Sequence, residues 1–252
     1  MKYIGSKAKI AKDIVPIIQK YIDDNNVELY IEPFVGGFNV IDKIKCNRRI
    51  GNDIDCLVID LVIYCKNNPQ LLNKLPELPT KEHYYDVRDN PENYSNWYRS
   101  AILLFASYNA RVYGGCYGAF AKTKDGTVRN YFQEAKRNFE KQLPLLKDIE
   151  VHFGDYSHLH YEYENAVIYC DIPYKDSIGY STDFDYEQFY NWCEEQTKCG
   201  NIVLVSEYEM PEDRFECIWQ KQVKTHQNNR NKINKVEKLF ICKEKLKWTK
   251  RN

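Results

Sequence analysis

Glu28-Leu29-Tyr30-Ile31-Glu32-Pro33-Phe34-Val35-Gly36-Gly37 (ELYIEPFVGG) sets the architecture of this chain. Residues 28–34 are a short apolar run that ends at a Gly-Gly turn, the form of a buried parallel strand. The two glycines permit a tight turn and let the backbone approach a ligand closely. In an open α/β sheet a ligand binds beyond the carboxyl ends of the strands, where strand order reverses, and this motif sits at such an end. It is not the G-x-G-x-x-G of pyrophosphate binders, and no G-x-x-x-x-G-K-[ST] occurs, so NAD chemistry and nucleotide hydrolysis are disfavoured. A plain strand-to-helix turn explains the motif equally well.

On both sides the chain alternates between strand and helix. Residues 38–45 read as a helix, 48–53 as a second strand and 54–66 as a second helix. Pro69, Pro76 and Pro79 break up a loop-rich stretch that marks a boundary near residues 66–80. The middle differs in kind: 93–107 and 128–146 carry helical spacing around a Gly- and Tyr-rich loop at 111–125. Alternation then resumes, with strands at 150–153, 166–170 and 201–206 and a helix at 186–197. Residues 215–223 and 235–242 follow as an antiparallel strand pair around a basic loop. The pattern predicts an α/β fold: a doubly wound, mostly parallel sheet with an antiparallel C-terminal strand pair and an inserted helical lobe. The expected division is a catalytic domain from 1–66 and 149–252, with 67–148 as the insert.

With 252 residues, 43% of them hydrophobic, the chain can bury a substantial core, and 29% charged with 14% aromatic does not fit a disordered segment. No apolar run approaches the roughly 18 residues needed to cross a bilayer, and no secretory signal is visible, so a cytoplasmic protein without membrane contact is expected. Nine scattered cysteines with no Cys-x-x-Cys pair imply reduced thiols and no bound metal.

The net charge of zero hides an asymmetry. Residues 219–252 hold eleven basic side chains and two acids, Glu237 and Glu244; residues 99–137 hold seven and two, interleaved with tyrosines. Such segments suit a phosphate backbone, although solvated faces explain them as well. Arg99, Arg111, Lys122, Lys124, Arg129, Lys224 and Arg230 are the candidate phosphate contacts.

Two acidic positions carry the chemistry. Asp53, at the end of the second strand, can accept hydrogen bonds from both hydroxyls of a ribose, or serve as a helix cap before Ile54. Asp171-Ile172-Pro173-Tyr174 ends the apolar strand AVIYC. An aspartate beside a main-chain carbonyl forms an acceptor pair suited to an exocyclic amine, proline stiffens the turn, and tyrosine offers a face for stacking a base.

These residues give the chain its family likeness: it resembles the Dam-like (alpha-group) DNA adenine-N6 methyltransferases, phage members in particular. Tyr3-Ile4-Gly5-Ser6-Lys7 resembles their N-terminal motif, EPFVGG their S-adenosyl-L-methionine loop, and Asn52-Asp53 their ribose-binding acid. Gly154-Asp155-Tyr156 is similar to the element that holds the cofactor's adenine, DIPY to the catalytic D-P-P-Y, and VLVSEYEMP and EKLF to the closing strands. The resemblance implies that Tyr3 and Lys7 cover the methionine end of S-adenosyl-L-methionine and that Glu32 lies near its amino group. Phe34, Gly36 and Gly37 would shape the loop, Asp53 take the ribose hydroxyls, and Asp155, with Tyr156 beside it, the adenine amine. Asp171 and the Ile172 carbonyl would accept the two N6 hydrogens of a flipped-out adenine, with Pro173 stiffening the turn and Tyr174 stacked on the ring. Double-stranded DNA is the implied partner, the chain acting as a monomer or weak dimer in a restriction-modification setting. Two departures stand out: Ile172 replaces the first proline, and Phe38 stands where a small residue is common. Methylation of cytosine N4, an RNA adenine or a glutamine amide, and a catalytically silent DNA-binding protein, are the rival readings.

Overall fold

The structure, a computed structural model, describes residues 1–123, 125–159, 164–174, 184–228 and 231–243, with the side chains of 224–228 and 231–234 outside that set. In chain order the elements are α1 (Ala11–Asp24), β1 (Leu29–Glu32), β2 (Arg48–Asp53), α2 (Cys56–Asn67), α3 (Lys81–Asp89) and α4 (Asn96–Ala106). There follow β3 (Phe120–Lys122), β4 (Val128–Asn130), α5 (Tyr131–Leu146), β5 (Ile149–Phe153), β6 (Ala166–Asp171), α6 (Tyr186–Lys198), β7 (Ile202–Glu207), β8 (Phe215–Asn228) and β9 (Asn231–Cys242).

Seven strands form one sheet of order β5-β2-β1-β6-β7-β9-β8, and β3 and β4 form a separate hairpin. β1 pairs with β6 in parallel (Ile31 opposite Ile168), and β6 with β7 (Asp171 opposite Ser206). β9 runs antiparallel to both β7 and β8. All four residues of β1 and the first five of β6 are buried, as expected of strands covered on both faces. Successive strands leave β1 to one side as β2 and β5 and return on its other side as β6 and β7. The order therefore reverses between β1 and β6, and the expected doubly wound sheet with its antiparallel C-terminal pair is present.

Two compact units divide the chain. One comprises Met1–Lys12, Val35–Lys43 and Gly51–Gly154. Its core is helical: α4 is buried from Ser100 to Ala106, and Phe105 meets Phe132 and Phe139 of α5 at ring separations of 6.0 and 5.8 Å. The other comprises Asp13–Phe34, Ile44–Ile50 and Asp155–Asn252. Here Ile31, Ile168, Cys170, Ile172, Phe189, Cys193, Val203, Val205, Phe215 and Phe240 form one apolar cluster. The stripe Ile14, Ile18 and Ile22 buries one face of α1.

Four segments differ from the sequence-based expectation, one of them the loop at 111–125, which holds strand β3. Residues 38–45 form only a single 3₁₀ turn at Ile41–Lys43, and Phe38, with φ +58° on leaving the glycine turn, lies outside the right-handed helical region. Residues 128–130 are strand β4, and Asn130 then caps α5 by accepting from the Gln133 N–H at 3.0 Å. The C-terminal pair is longer than expected, reaching the Asn228–Asn231 register. Among the described residues no helix is long and apolar enough to cross a membrane.

Candidate active site

The sheet unit carries the DIPY segment. From the Ile31–Ile168 pair, three residues onward along each strand reach Phe34 and Asp171, so the acidic side chain emerges beside the segment that leads into the glycine turn. Asp171 is half-buried where the five residues before it are buried, as a strand end facing an opening should be. Ile172 is 2% exposed and joins the core cluster, so its side chain anchors the turn from below. The Pro173 carbonyl accepts from the Tyr186 hydroxyl at 2.8 Å. This departure from proline thus exchanges backbone stiffness for apolar anchoring.

Tyr174 donates its hydroxyl to Glu237 Oε2 at 2.8 Å, and its ring meets that of Tyr208 edge-on, centroids 4.5 Å apart. Burial, then the carboxylates of Asp171 and Glu237, push the Tyr174 phenol well above its usual range, so it stays a neutral donor. Behind it the Tyr169 and Ser206 hydroxyls bond at 2.7 Å in the interior. Glu32, at the end of β1, is buried and accepts from the Tyr30 hydroxyl at 2.7 Å.

A second feature of this unit is an aromatic bed. Phe34 lies 5.1 Å from Tyr156, and Tyr156 packs on Phe184, Phe189 and Trp192 at 5.8, 5.6 and 5.4 Å. Asp155 precedes it as the cap of a short turn, accepting from the Ser157 N–H at 2.8 Å, and remains half-exposed. Trp192 is therefore a packing residue of this bed.

The other unit carries the glycine turn. Gly36 takes φ +47° and donates its N–H to Asp53 Oδ2 at 2.7 Å, while Asp53 Oδ1 accepts from the Asp55 N–H at 2.9 Å. Asp53 is 8% exposed, and burial raises its pKa to about 6 against the opposing effect of the Asp55 and Gly36 N–H groups. A carboxylate offers about four acceptor sites, so the pair of oxygens keeps capacity for ligand hydroxyls. Gly37 has no room for a side chain: a Cβ would lie 2.9 Å from Tyr3 Cβ and 3.0 Å from the Met1 carbonyl oxygen. Tyr3 lies against this turn and Lys7 is buried nearby in sequence within a 3₁₀ turn capped by Ser6. Phe38 is fully buried, its ring directed toward Gly51.

Asp55 is a residue that sequence reasoning passed over. It caps α2 through the Leu57 N–H and accepts from the hydroxyls of Tyr3 and Tyr113, each at 3.0 Å. The signal was available in Asn52-Asp53-Ile54-Asp55, an acid directly before a helix. Tyr208 belongs to Ser206-Glu207-Tyr208, which by sequence reads either as a shaper of the target-base pocket or as a turn after a strand; Glu237 was missed, and an acid kept in a basic strand was the available clue.

Of the candidate DNA contacts, Lys122 is exposed on the β3–β4 hairpin, and Arg129 is exposed but bidentate with Glu134 at 2.7 and 2.9 Å. Arg99 is half-buried, with its Nε buried and unpartnered, and Arg111 is exposed. Lys124, Arg230 and the Lys224 side chain lie outside the described residues. Among the described residues no group of three or more His, Cys, Asp or Glu could hold a metal ion.

A doubly wound sheet with an Asp-x-Pro-Tyr end at its switch point is the fold of an α/β methyltransferase. Residues 3–237 match the model of the D12 class N6 adenine-specific DNA methyltransferases, and the chain belongs to that family. It is 28% identical over 204 residues to the Type II methyltransferase M.MjaIII of Methanocaldococcus jannaschii, covering 69% of this chain and 68% of that protein. Two matches at 24% identity are the Type II methyltransferase M.FokI of Planomicrobium okeanokoites and the modification methylase StsI of Streptococcus sanguinis, each covering 73% of this chain. The chain spans only 30% and 29% of those two longer proteins. The chain is thus an enzyme of the DNA adenine-methylating class, and its reaction needs a methyl donor.

Proposed function

We propose that the protein transfers a methyl group from S-adenosyl-L-methionine to the N6 amine of an adenine flipped out of double-stranded DNA. The observation that carries this reading is the β1–β6 register, which sets Asp171 beside the segment entering the glycine turn. Bound there, S-adenosyl-L-methionine supplies an electrophilic methyl on a sulfonium.

Gly36, Gly37 and Tyr3 line the cofactor loop in this assignment, with Lys7 near the methionine end and Glu32 near its amino group. Asp53 accepts from the ribose hydroxyls. Asp155 accepts from the cofactor's adenine amine, and Phe34 and Tyr156 supply an aromatic bed for its ring.

The adenine amine is a poor nucleophile because its lone pair is delocalised into the ring. Asp171 and the Ile172 carbonyl accept its two N–H groups and so localise the lone pair toward the methyl carbon. S-adenosyl-L-methionine would supply the methyl carbon as electrophile and its sulfur as leaving group, and Asp171, hydrogen-bonded to N6, would take up the proton that the amine loses. Orientation and fixed dipoles carry the rate, with no covalent enzyme intermediate. Flipping costs a few kcal/mol of stacking and pairing. Tyr174 offsets part of it by stacking on the extruded base, and the basic residues of the 67–148 lobe and of β8 and β9 offset more through phosphate contacts. A cytoplasmic monomer or weak dimer suits this activity.

The decisive experiment incubates the protein with labelled S-adenosyl-L-methionine and mixed-sequence DNA, then identifies the modified base. N6-methyladenine is expected from the wild type and none from Asp171→Ala with its circular dichroism unchanged. Full activity in that variant rejects the assignment.

A further inference from the structure

Resting on the reading just given, we propose that Glu237 is a positioning residue for the target base: its carboxylate holds the Tyr174 ring, backed by Tyr208, in one orientation beside Asp171. The Tyr174 hydroxyl donates to Glu237 Oε2 at 2.8 Å, and the Tyr208 hydroxyl bonds the same carboxylate. The two rings stand at 81° with centroids 4.5 Å apart, an edge-to-face pair. Lys235 sits 4.2 Å over the far ring, Tyr208.

Topology explains why a residue 63 positions from Tyr174 arrives here. β6 and β7 are parallel, with Asp171 opposite Ser206, so both reach the same sheet edge. β9 enters antiparallel to β7, with Glu207 opposite Lys238, and one further step along each strand brings Tyr208 and Glu237 together. The first half of β9 thereby meets the carboxyl end of β7, and an acid there faces the DIPY turn. A parallel strand would have delivered its own carboxyl end to that edge instead.

Physically, a stacking ring has two soft torsions, and a platform that tilts lets the base, and with it N6, drift from the attack line. A hydrogen bond at the para position pins the end of the ring remote from the backbone, and the Tyr208 edge resists sideways slip. Glu237 touches no reacting atom in this scheme; it acts through Tyr174. A charged acceptor suits the task because a charge-assisted bond is roughly twice as strong as a neutral one. Its place in a strand otherwise rich in lysine (Lys232, Lys235, Lys238) sets it apart from a solvated face.

The test is a double-mutant cycle on full-length protein, with labelled S-adenosyl-L-methionine and unmethylated plasmid DNA. Glu237→Ala and Tyr174→Phe should each lower kcat by about ten- to hundredfold, the loss of one hydrogen bond to a charged group, with KM for S-adenosyl-L-methionine unchanged. The double variant should be no slower than either single one, and Glu237→Gln, which keeps an acceptor, should recover most of the rate. Wild-type kcat in Tyr174→Phe, or a loss from Glu237→Ala that multiplies with that of Tyr174→Phe, overturns the positioning role while leaving the function standing. If Glu237→Ala does not fold, Tyr174→Phe and Glu237→Gln decide it: a slow phenylalanine variant with an active glutamine variant supports the role, any other combination overturns it. A wild type that methylates no adenine overturns the function and this role together.

Discussion

Asp53 should make the ligand-free protein lose stability as pH rises, the reverse of most carboxylates. Burial raises its pKa from 3.8 to about 6, so the folded chain binds this proton more tightly than the unfolded chain does. At pH ~3 and below both states are largely protonated and nothing is lost. Between pH ~4 and ~6 the unfolded chain ionises first and stability falls; above ~6 both are ionised and the loss levels off. The raised pKa corresponds to about 3 kcal/mol, an order-of-magnitude figure that is a large share of a small protein's stability. Asp53→Asn removes the titration and leaves other groups in place. Urea unfolding of both proteins from pH 3 to 7.5 should therefore give a wild-type-minus-variant difference that falls by about 3 kcal/mol and then stays flat. Absolute stabilities cancel in this comparison, including the cost of pointing an amide N–H₂ at the Gly36 or Asp55 N–H. Parallel profiles would refute the argument. In the role proposed for Asp53, the ionised carboxylate is the acceptor that ribose hydroxyls would need. Calorimetric binding of S-adenosyl-L-methionine should weaken as pH drops below ~6 in the wild type and be weak at every pH in Asp53→Asn.

Other outcomes follow from single contacts. Gly37→Ala forces a methyl against the Asn39 amide nitrogen at 2.5 Å and the Met1 carbonyl at 3.0 Å. It should cost about 1–3 kcal/mol in thermal unfolding and displace Tyr3 from the turn. Asp55→Ala strips the α2 cap and the acceptor of two tyrosine hydroxyls, and should cost about 2–3 kcal/mol by urea titration. Tyr113→Phe, losing one of those bonds, should cost about 1 kcal/mol or less. Lys122→Ala should weaken DNA binding uniformly across sequences and reduce the slope of log K against log salt by about 1, read by filter binding.

Much of the architecture was legible because it is written in local pattern. Apolar runs closed by turn residues gave β1, β6 and β7 within a residue or two, and amphipathic spacing gave α4 and α6. Motif order gave the family, since Tyr3, Glu32, Asp53, Asp155 and Asp171 each stand at a strand end or turn whose local chemistry the sequence spells out. Residues 38–45 misled for an equally local reason: their apolar residues are buried, but a left-handed Phe38 feeds them into an irregular path. Burial pattern alone does not distinguish that path from a helix.

By itself, then, the order of residues settled the fold class and the reaction class. Only the tertiary structure decided which residues stand together: Glu237 on Tyr174, Tyr3 and Tyr113 on Asp55, the aromatic bed under Tyr156. Those meetings join residues dozens of positions apart, and strand order and the antiparallel entry of β9 set them. Neither propensity nor spacing along the chain encodes such a contact, because the energy that selects it arises when whole elements pack.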